Sequence, residues 1–456
     1  MYFNMASTKQ RRIFVLRKLR LASAFRLILL FPLLTFSAAV QAQFIFITNS
    51  GAITITGYTG PSVAVIIPSM TNGYPVTIIG DGAFSAFLGN SSPTSLTIPD
   101  SVTNIGGGVF DECFGLTNIS IGSGASSIGP GTFVDCYQLN VITVDPANSY
   151  YSSVNGVVFD KSHSTLIAYP DGLTGAYTIS NTVTSIGDFA FNTCPGLTSI
   201  TMPNSVASIG FETFQYCSGL TNVTMSTNVT SIGENAFDGC QSLPSIAIPN
   251  GITSIQFATF EDCGFTSVTI PSGVISIGTA AFDICGGLTN VIIPNSVTSI
   301  ANLAFYNDPM TSIIIPNSVT NIGSDTFSHC FNLTGVYFIG NSPSPTNDAS
   351  VFQYDNNAAV YYLPGSIGWG TNFDGLPTVL WNPKAQNNAS FGVKTNQFGF
   401  NITGNSNIVV VVEGCTNLAN QVWTPLQTLT LTNGTSYFSD PQWTNYPCRF
   451  YGFSFP

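Results

Sequence analysis

LTSITMPNSVASIGFETFQYCSG, residues 197–219, runs without a gap into LTNVTMSTNVTSIGENAFDGCQS, residues 220–242. Both stretches place Leu, Ile or Val, Met, Val, Ile-Gly, Phe and Cys at the same offsets. At the front of each unit the apolar positions alternate, or nearly alternate, with Thr, Ser and Asn, the pattern of a short strand with one buried face. Val-x-x-Ile-Gly then supplies a second extended arm. The stretch that ends in Phe and Cys is expected to be a short helical turn laying both side chains into the core. A unit this small cannot bury its own apolar face, so neighbouring units must stack to close a continuous core.

Working outward on Ile-Gly followed four residues later by Phe, the ladder extends through Phe84, Phe110, Phe133, Phe191, Phe214, Phe237, Phe260, Phe282, Phe305 and Phe327. The spacings are 26, 23, 58, 23, 23, 23, 22, 23 and 22 residues, a period that marks a solenoid. Gln256 and Ala301 stand where Gly follows Ile elsewhere, and Asp308 stands in the Cys column. These changes weaken the ladder locally without breaking it.

The recurring L-T-x-I-x-I-P-x-S-V-T-x-I-G-x-x-A-F-x-x-C resembles the BspA-like leucine-rich-repeat family of bacterial secreted and surface proteins, over roughly residues 51–335. The resemblance implies a leucine-rich-repeat solenoid with a parallel β-sheet on one face and short helical or extended turns elsewhere. It also implies that the repeats hold no catalytic residue or cofactor, and that the protein adheres to or binds extracellular macromolecules, protein or glycan.

Outside the repeats the chain divides further. Residues 1–42 are expected to be a cleaved export signal: a basic start, an apolar run from Leu27 to Phe36, then SAAVQA ending at Ala42. That run is too short for a stable transmembrane span. Arg11-Arg12, ahead of that run in the signal segment, suits a twin-arginine signal, and a general secretory signal fits equally. The solenoid is expected over 43–335, with a hairpin-bearing insert at about 145–178 signalled by Asn155-Gly156. The insert is either an enlarged coil or a protruding contact loop carrying Tyr150, Tyr151 and His163. Residues 336–383 are expected to cap the solenoid and link it to a small all-β domain at 384–456.

Charged residues make up 7% of the chain, so hydroxyls and amides must keep much of its surface wet. Seven of the eleven basic residues precede Ala42 and none of the 22 acidic ones does, so the exported part is strongly acidic. That excludes a nucleic-acid partner, which needs clustered Lys and Arg. Eight of the ten cysteines fall at one repeat position: Cys113, Cys136, Cys194, Cys217, Cys240, Cys263, Cys285 and Cys330. Stacked coils bring such a column within disulfide reach. The run from Cys194 to Cys285 has five members, so one must lack a partner within it, and a column of buried free thiols is the expectation. Cys415 and Cys448 could form one bridge. No C-x-x-C or H-x-x-x-H spacing occurs, and no metal site is expected.

No catalytic motif is present, and neither His163 nor His329 has an evident Ser or Cys partner. The acidic residues Asp111, Glu112, Asp135, Asp238, Glu261, Asp262 and Asp283 are taken as a solvated outer turn rather than a calcium edge. The candidate binding face is the strand residue between the last two buried positions. It runs Thr97, Ser120, Thr143, Thr201, Thr224, Ala247, Thr269, Ile292, Ile314 and Tyr337. Its apolar end is either a binding patch or a surface covered by the cap or the C-terminal domain. The chain is thus expected to be a secreted or surface-held, non-enzymatic binding or adhesion protein acting through Thr201, Thr224, Thr269, Ile292, Ile314 and Tyr337. The alternative is a structural envelope or matrix protein that self-associates through its solenoid.

Overall fold

The alternation at the front of each unit produces strands that stack in parallel, coil on coil. The computed structural model describes residues 43–61, 63–86, 92–344 and 350–456; the expected signal segment, with its twin-arginine pair, lies outside them. Ser95–Ile98, Asn118–Ile121 and Val141–Val144 pair without slip, so that Leu96, Ile119 and Ile142 form one buried row. The same ladder resumes through Gly175–Thr178, Leu197–Thr201 and Asn222–Thr224, and later through Ser312–Ile315, Gly335–Phe338 and Ala359–Tyr362. The second arm of each unit becomes a two-residue strand, as in Ser185–Ile186, Ser208–Ile209 and Ser231–Ile232.

The helical turn expected before Cys does not form. Left-handed residues flank Phe on both sides instead: Glu212 (φ 49°) and Tyr216 (φ 56°) around Phe214, Ala280 (φ 54°) and Ile284 (φ 57°) around Phe282. In this conformation Glu212, Phe214 and Tyr216 donate their amides to the carbonyls of Glu234, Ala236 and Asp238 in the next coil. A helix would spend those amides within the coil and leave the neighbour's carbonyls unpaired. The inter-coil bonds therefore outweigh the roughly 1–2 kcal/mol that each left-handed non-Gly residue costs.

Between the ladders lies the core. Phe191, Phe214, Phe237, Phe260, Phe282, Phe305, Phe327 and Phe352 stack ring on ring with centroids 4.9–5.7 Å apart. Burying each ring stabilises the fold by about 1.5–3 kcal/mol, and each ring contact adds about 0.5–1.5. The cysteines are unpaired, Cys415 and Cys448 included. Seven of the column thiols donate at 3.0–3.3 Å to the Phe carbonyl of the preceding coil, as Cys240 does to Phe214. A thiol suits this position because it is small and apolar yet satisfies a buried acceptor.

Asn155 (φ 52°) and Gly156 (φ 86°) turn the hairpin that joins Tyr151–Val154 to Val157–Asp160. Its second strand divides the core: Val158 packs with the N-terminal cluster, whereas Val157 and Phe159 pack with the C-terminal one. This follows from the two-residue alternation of a strand. At the other end, Gln397–Thr403 and Thr435–Asp440 pair in one small sheet, and Val409–Cys415 lies between Thr424–Thr430 and Phe450–Ser454 in another. Phe400, Ile402, Val410, Val412, Leu431 and Phe438 fill the space between them. Arg449 reaches Asp440 at 2.9 Å, the one ion pair among the described residues, with both side chains nearly buried.

Candidate functional site

The candidate column is built by strand alternation. Residues facing inward, such as Ile200, Val223 and Val268, are buried, so Thr201, Thr224 and Thr269 between them point to solvent and are exposed. Thr201 lies beside Thr224, Thr269 beside Ile292, and Ile314 beside Tyr337. The row is interrupted at Ser245, Ile246 and Ala247, which form no strand. Pro244 explains the break: Thr221 donates to the Thr198 carbonyl in the preceding coil, and proline at the equivalent place has no amide to do so.

At its apolar end the column divides. Ile292 is 54% exposed and Ile314 39%, but Tyr337 only 4%. Tyr337 stacks on Tyr361 with centroids 4.9 Å apart and meets Phe455 of the C-terminal domain at 4.8 Å. Its ring lies over Gly335, where a Cβ would come within 2.7 Å of the ring. Burial also pushes the Tyr337 phenol upward from its ordinary pKa. Tyr337 is therefore removed from the candidate face, and Ile292 and Ile314 form its uncovered apolar edge. The C-terminal domain covers part of the stripe because Phe455 and Trp381, centroids 4.4 Å apart, complete one cluster with Tyr337.

The acidic turn is not uniformly solvated. Asp238 and Asp283 are buried; Gln215 donates to Asp238, while one oxygen of Asp283 has no partner among the described residues. Burial, with Glu261 nearby, pushes Asp283 up to about 7. Three further carboxyls stand in the thiol column. Asp171 accepts from the Cys136 amide, the Thr193 hydroxyl and the Cys194 thiol. The carboxyls of Asp308 and Asp355 meet no donor in hydrogen-bond geometry among the described residues. Burial raises both pKa values, Asp355 to about 7, although the Cys285 and Cys330 amides nearby oppose the shift in part. Among the described residues no three His, Cys, Asp or Glu side chains converge as a metal site.

His163 stacks on Phe159, and Tyr150 is exposed. The Tyr151 hydroxyl accepts from the Ile128 amide at 3.2 Å, so the insert holds the preceding coil in place. His329 does have a serine beside it: Ser328 Oγ lies 3.0 Å from its Nδ1. That hydroxyl is buried and also donates to the Gln353 carbonyl at 3.1 Å, a structural arrangement in which Oγ is not presented as a nucleophile.

Strand–arm–turn coils stacked with a 23-residue period, without a helix in any described coil, define a β-solenoid of leucine-rich repeats. The model of the BspA type leucine rich repeat region matches residues 66–178, 175–272 and 253–358, and the chain belongs to that family. Solved structures with a similar chain path include a leucine rich cell surface protein from Faecalibacterium prausnitzii, 27% identical, spanning 71% of this chain and 94% of that one, TM-score 0.44. A leucine-rich repeat protein from Eubacterium ventriosum is 21% identical over 66% and 94%, TM-score 0.49. One from Bacteroides ovatus is 23% identical over 71% and 70%, TM-score 0.42. No curated protein matches the chain. Among the described residues no helix is long and apolar enough to cross a membrane.

Proposed function

We propose that this is a non-catalytic, exported adhesion or binding protein, secreted or held at the cell surface, that contacts an extracellular protein or glycan through the open strand face. The observation behind this reading is that hydroxyl column with Ile292 and Ile314 uncovered at its end, beside a domain that buries the next member, Tyr337. Thr201, Thr224 and Thr269 offer hydroxyls at the coil repeat, and the two isoleucines offer an apolar anchor.

The test is an array of extracellular proteins and glycans probed with the mature chain and with its Ile292→Asp/Ile314→Asp variant. Both sites are surface positions, so the variant should melt within about 0.5 kcal/mol of the parent. Binding should weaken at least about tenfold, equivalent to about 1.4 kcal/mol. Unchanged binding by the variant would remove the face from the account.

A structural, self-associating role is the second reading. It draws on Phe44–Asn49, which among the described residues pairs on one side only, with Ala52–Tyr58, and exposes Ile45 and Ile47. Strand edges of this kind invite pairing with another chain. Growth of assemblies with concentration in sedimentation, abolished by Ile47→Lys, would favour it.

A further inference from the structure

The inter-coil ladder around Phe is open, among the described residues, where the coil of Phe133 faces the next coil. Gly108 and Phe110 donate to the carbonyls of Pro130 and Thr132, and Phe189 and Phe191 donate to those of Phe211 and Thr213. Gly131 and Phe133 hold the same two positions in the coil between, and neither amide meets an acceptor among the described residues. The third amide of that set, that of Asp135, donates to the Thr193 hydroxyl oxygen at 2.9 Å. The insert causes the gap. Thr165–Ala168, the strand that follows it, is paired to Val157–Asp160 on one side and to Ser185–Ile186 on the other.

Gly131 and Phe133 border a cleft of about 360 Å³ whose walls include Val134, Ile167, Tyr169 and Phe189. That size falls in the ordinary range for ligand sites, from about 300 Å³ upward. The ring ladder is broken at the same place: Phe133 ends one stack on Phe110, and Tyr169 begins the next on Phe191. A buried carboxyl, Asp171, also borders the cleft, but its oxygens are already engaged by Cys136, Thr193 and Cys194. With Asp188 lining the cleft as well, an anion is disfavoured.

Two unpaired amides two residues apart on one edge match the carbonyl repeat of an extended chain. A broken ring stack matches an aromatic side chain. We infer that this cleft binds an extended, uncharged peptide segment of another protein, whose carbonyls accept from Gly131 and Phe133 and whose aromatic ring enters between Phe133 and Tyr169. The site is separate from the open strand face and stands or falls independently of it.

The solenoid supplies its own probe. In GTAAF, residues 278–282, the Thr279 and Ala281 carbonyls accept from Ala258 and Phe260 in the coil before. Amide hydrogen exchange of the mature chain is followed with and without acetyl-GTAAF-amide at millimolar concentration. In the free protein Gly131 and Phe133 should exchange at least about tenfold faster than Phe110 and Phe191, because an amide without an acceptor has no hydrogen bond to break before it exchanges. The probe should slow both several-fold, and acetyl-GTAAA-amide should not. Ile167→Trp, which fills the cleft, should abolish the effect, with Val134→Trp at the same cleft as a second filling variant should the first fold poorly. Slow exchange of both amides in the free protein would overturn the inference. So would no slowing by the aromatic probe, or equal slowing in a folded, filled variant.

Discussion

From Cys194 to Cys285 the position three residues after Phe is a thiol in five consecutive coils; from Asp308 to Asp355 it alternates between carboxyl and thiol. The backbone around it is similar in both stretches, with Phe305, Phe327 and Phe352 continuing the ring ladder above it. In the first stretch most of the thiols donate to a Phe carbonyl, and burial pushes Cys240, Cys263 and Cys285 upward so that they stay protonated. In the second, Asp308 and Asp355 bury carboxyls without a donor in hydrogen-bond geometry. One pocket shape thus accepts two chemistries, but only one of them is indifferent to pH.

Writing the second chemistry into the first stretch should have the largest effect. Cys240→Asp would bury a carboxyl among Phe214, Phe237 and Phe260 and remove one of the two donors to the Phe214 carbonyl, costing about 3 kcal/mol or more at pH 8. Urea unfolding followed by circular dichroism measures it. A loss under about 1 kcal/mol would mean the column is wetter than its burial indicates.

The reverse exchange, Asp308→Cys, should stabilise the chain by about 1–3 kcal/mol at pH 8 and by less at pH 5. The sign follows from linkage. The folded chain holds the Asp283, Asp308 and Asp355 protons to higher pH than the unfolded chain, where an aspartate titrates near 3.8. Stability from these groups is full below that value and is lost as pH rises, through about 7 for Asp283 and Asp355. Asp100 and Asp160 work in the opposite sense: amide and hydroxyl donors depress them, so their contribution is present above 3.8 and lost as pH falls below it. Melting temperature should accordingly decline between pH 5 and pH 8, and decline less in Asp308→Cys. A parent protein that is more stable at pH 8 than at pH 5 would contradict the protonated column.

The repeat, its period and the free thiol column were legible because each rests on spacing within one unit. What the sequence hid lies between units. The turn before Cys reads as helical within its unit, but its amides are claimed by the next coil, as Tyr216 by Asp238, and no local pattern reports that competition. Asp355 lies outside the repeat pattern because Phe352 stands 25 residues after Phe327 without a preceding Ile-Gly, and Asp171 because the insert displaces it from the period. The alternation puts Thr201, Thr224, Thr269, Ile292 and Ile314 between buried neighbours, and these side chains are exposed. It could not show that Phe455, at the far end of the chain, would cover Tyr337.

The smallest effect is also the most discriminating, because one substitution should change sign between the two stretches. Cys240→Ala removes one of two donors to the Phe214 carbonyl, which keeps the Cys217 amide at 3.2 Å, and should cost about 0.5–1.5 kcal/mol at any pH from 5 to 8. Asp355→Ala removes a carboxyl that has no donor in hydrogen-bond geometry, so at pH 8 it should be neutral or stabilising by up to about 1 kcal/mol. At pH 5, where the Asp355 proton is held, the same substitution should turn neutral or mildly destabilising through lost packing. Paired urea titrations at both pH values decide it. If the two alanine variants lose equal stability at pH 8, the column is one uniform packing position, and carboxyl and thiol are interchangeable fillers.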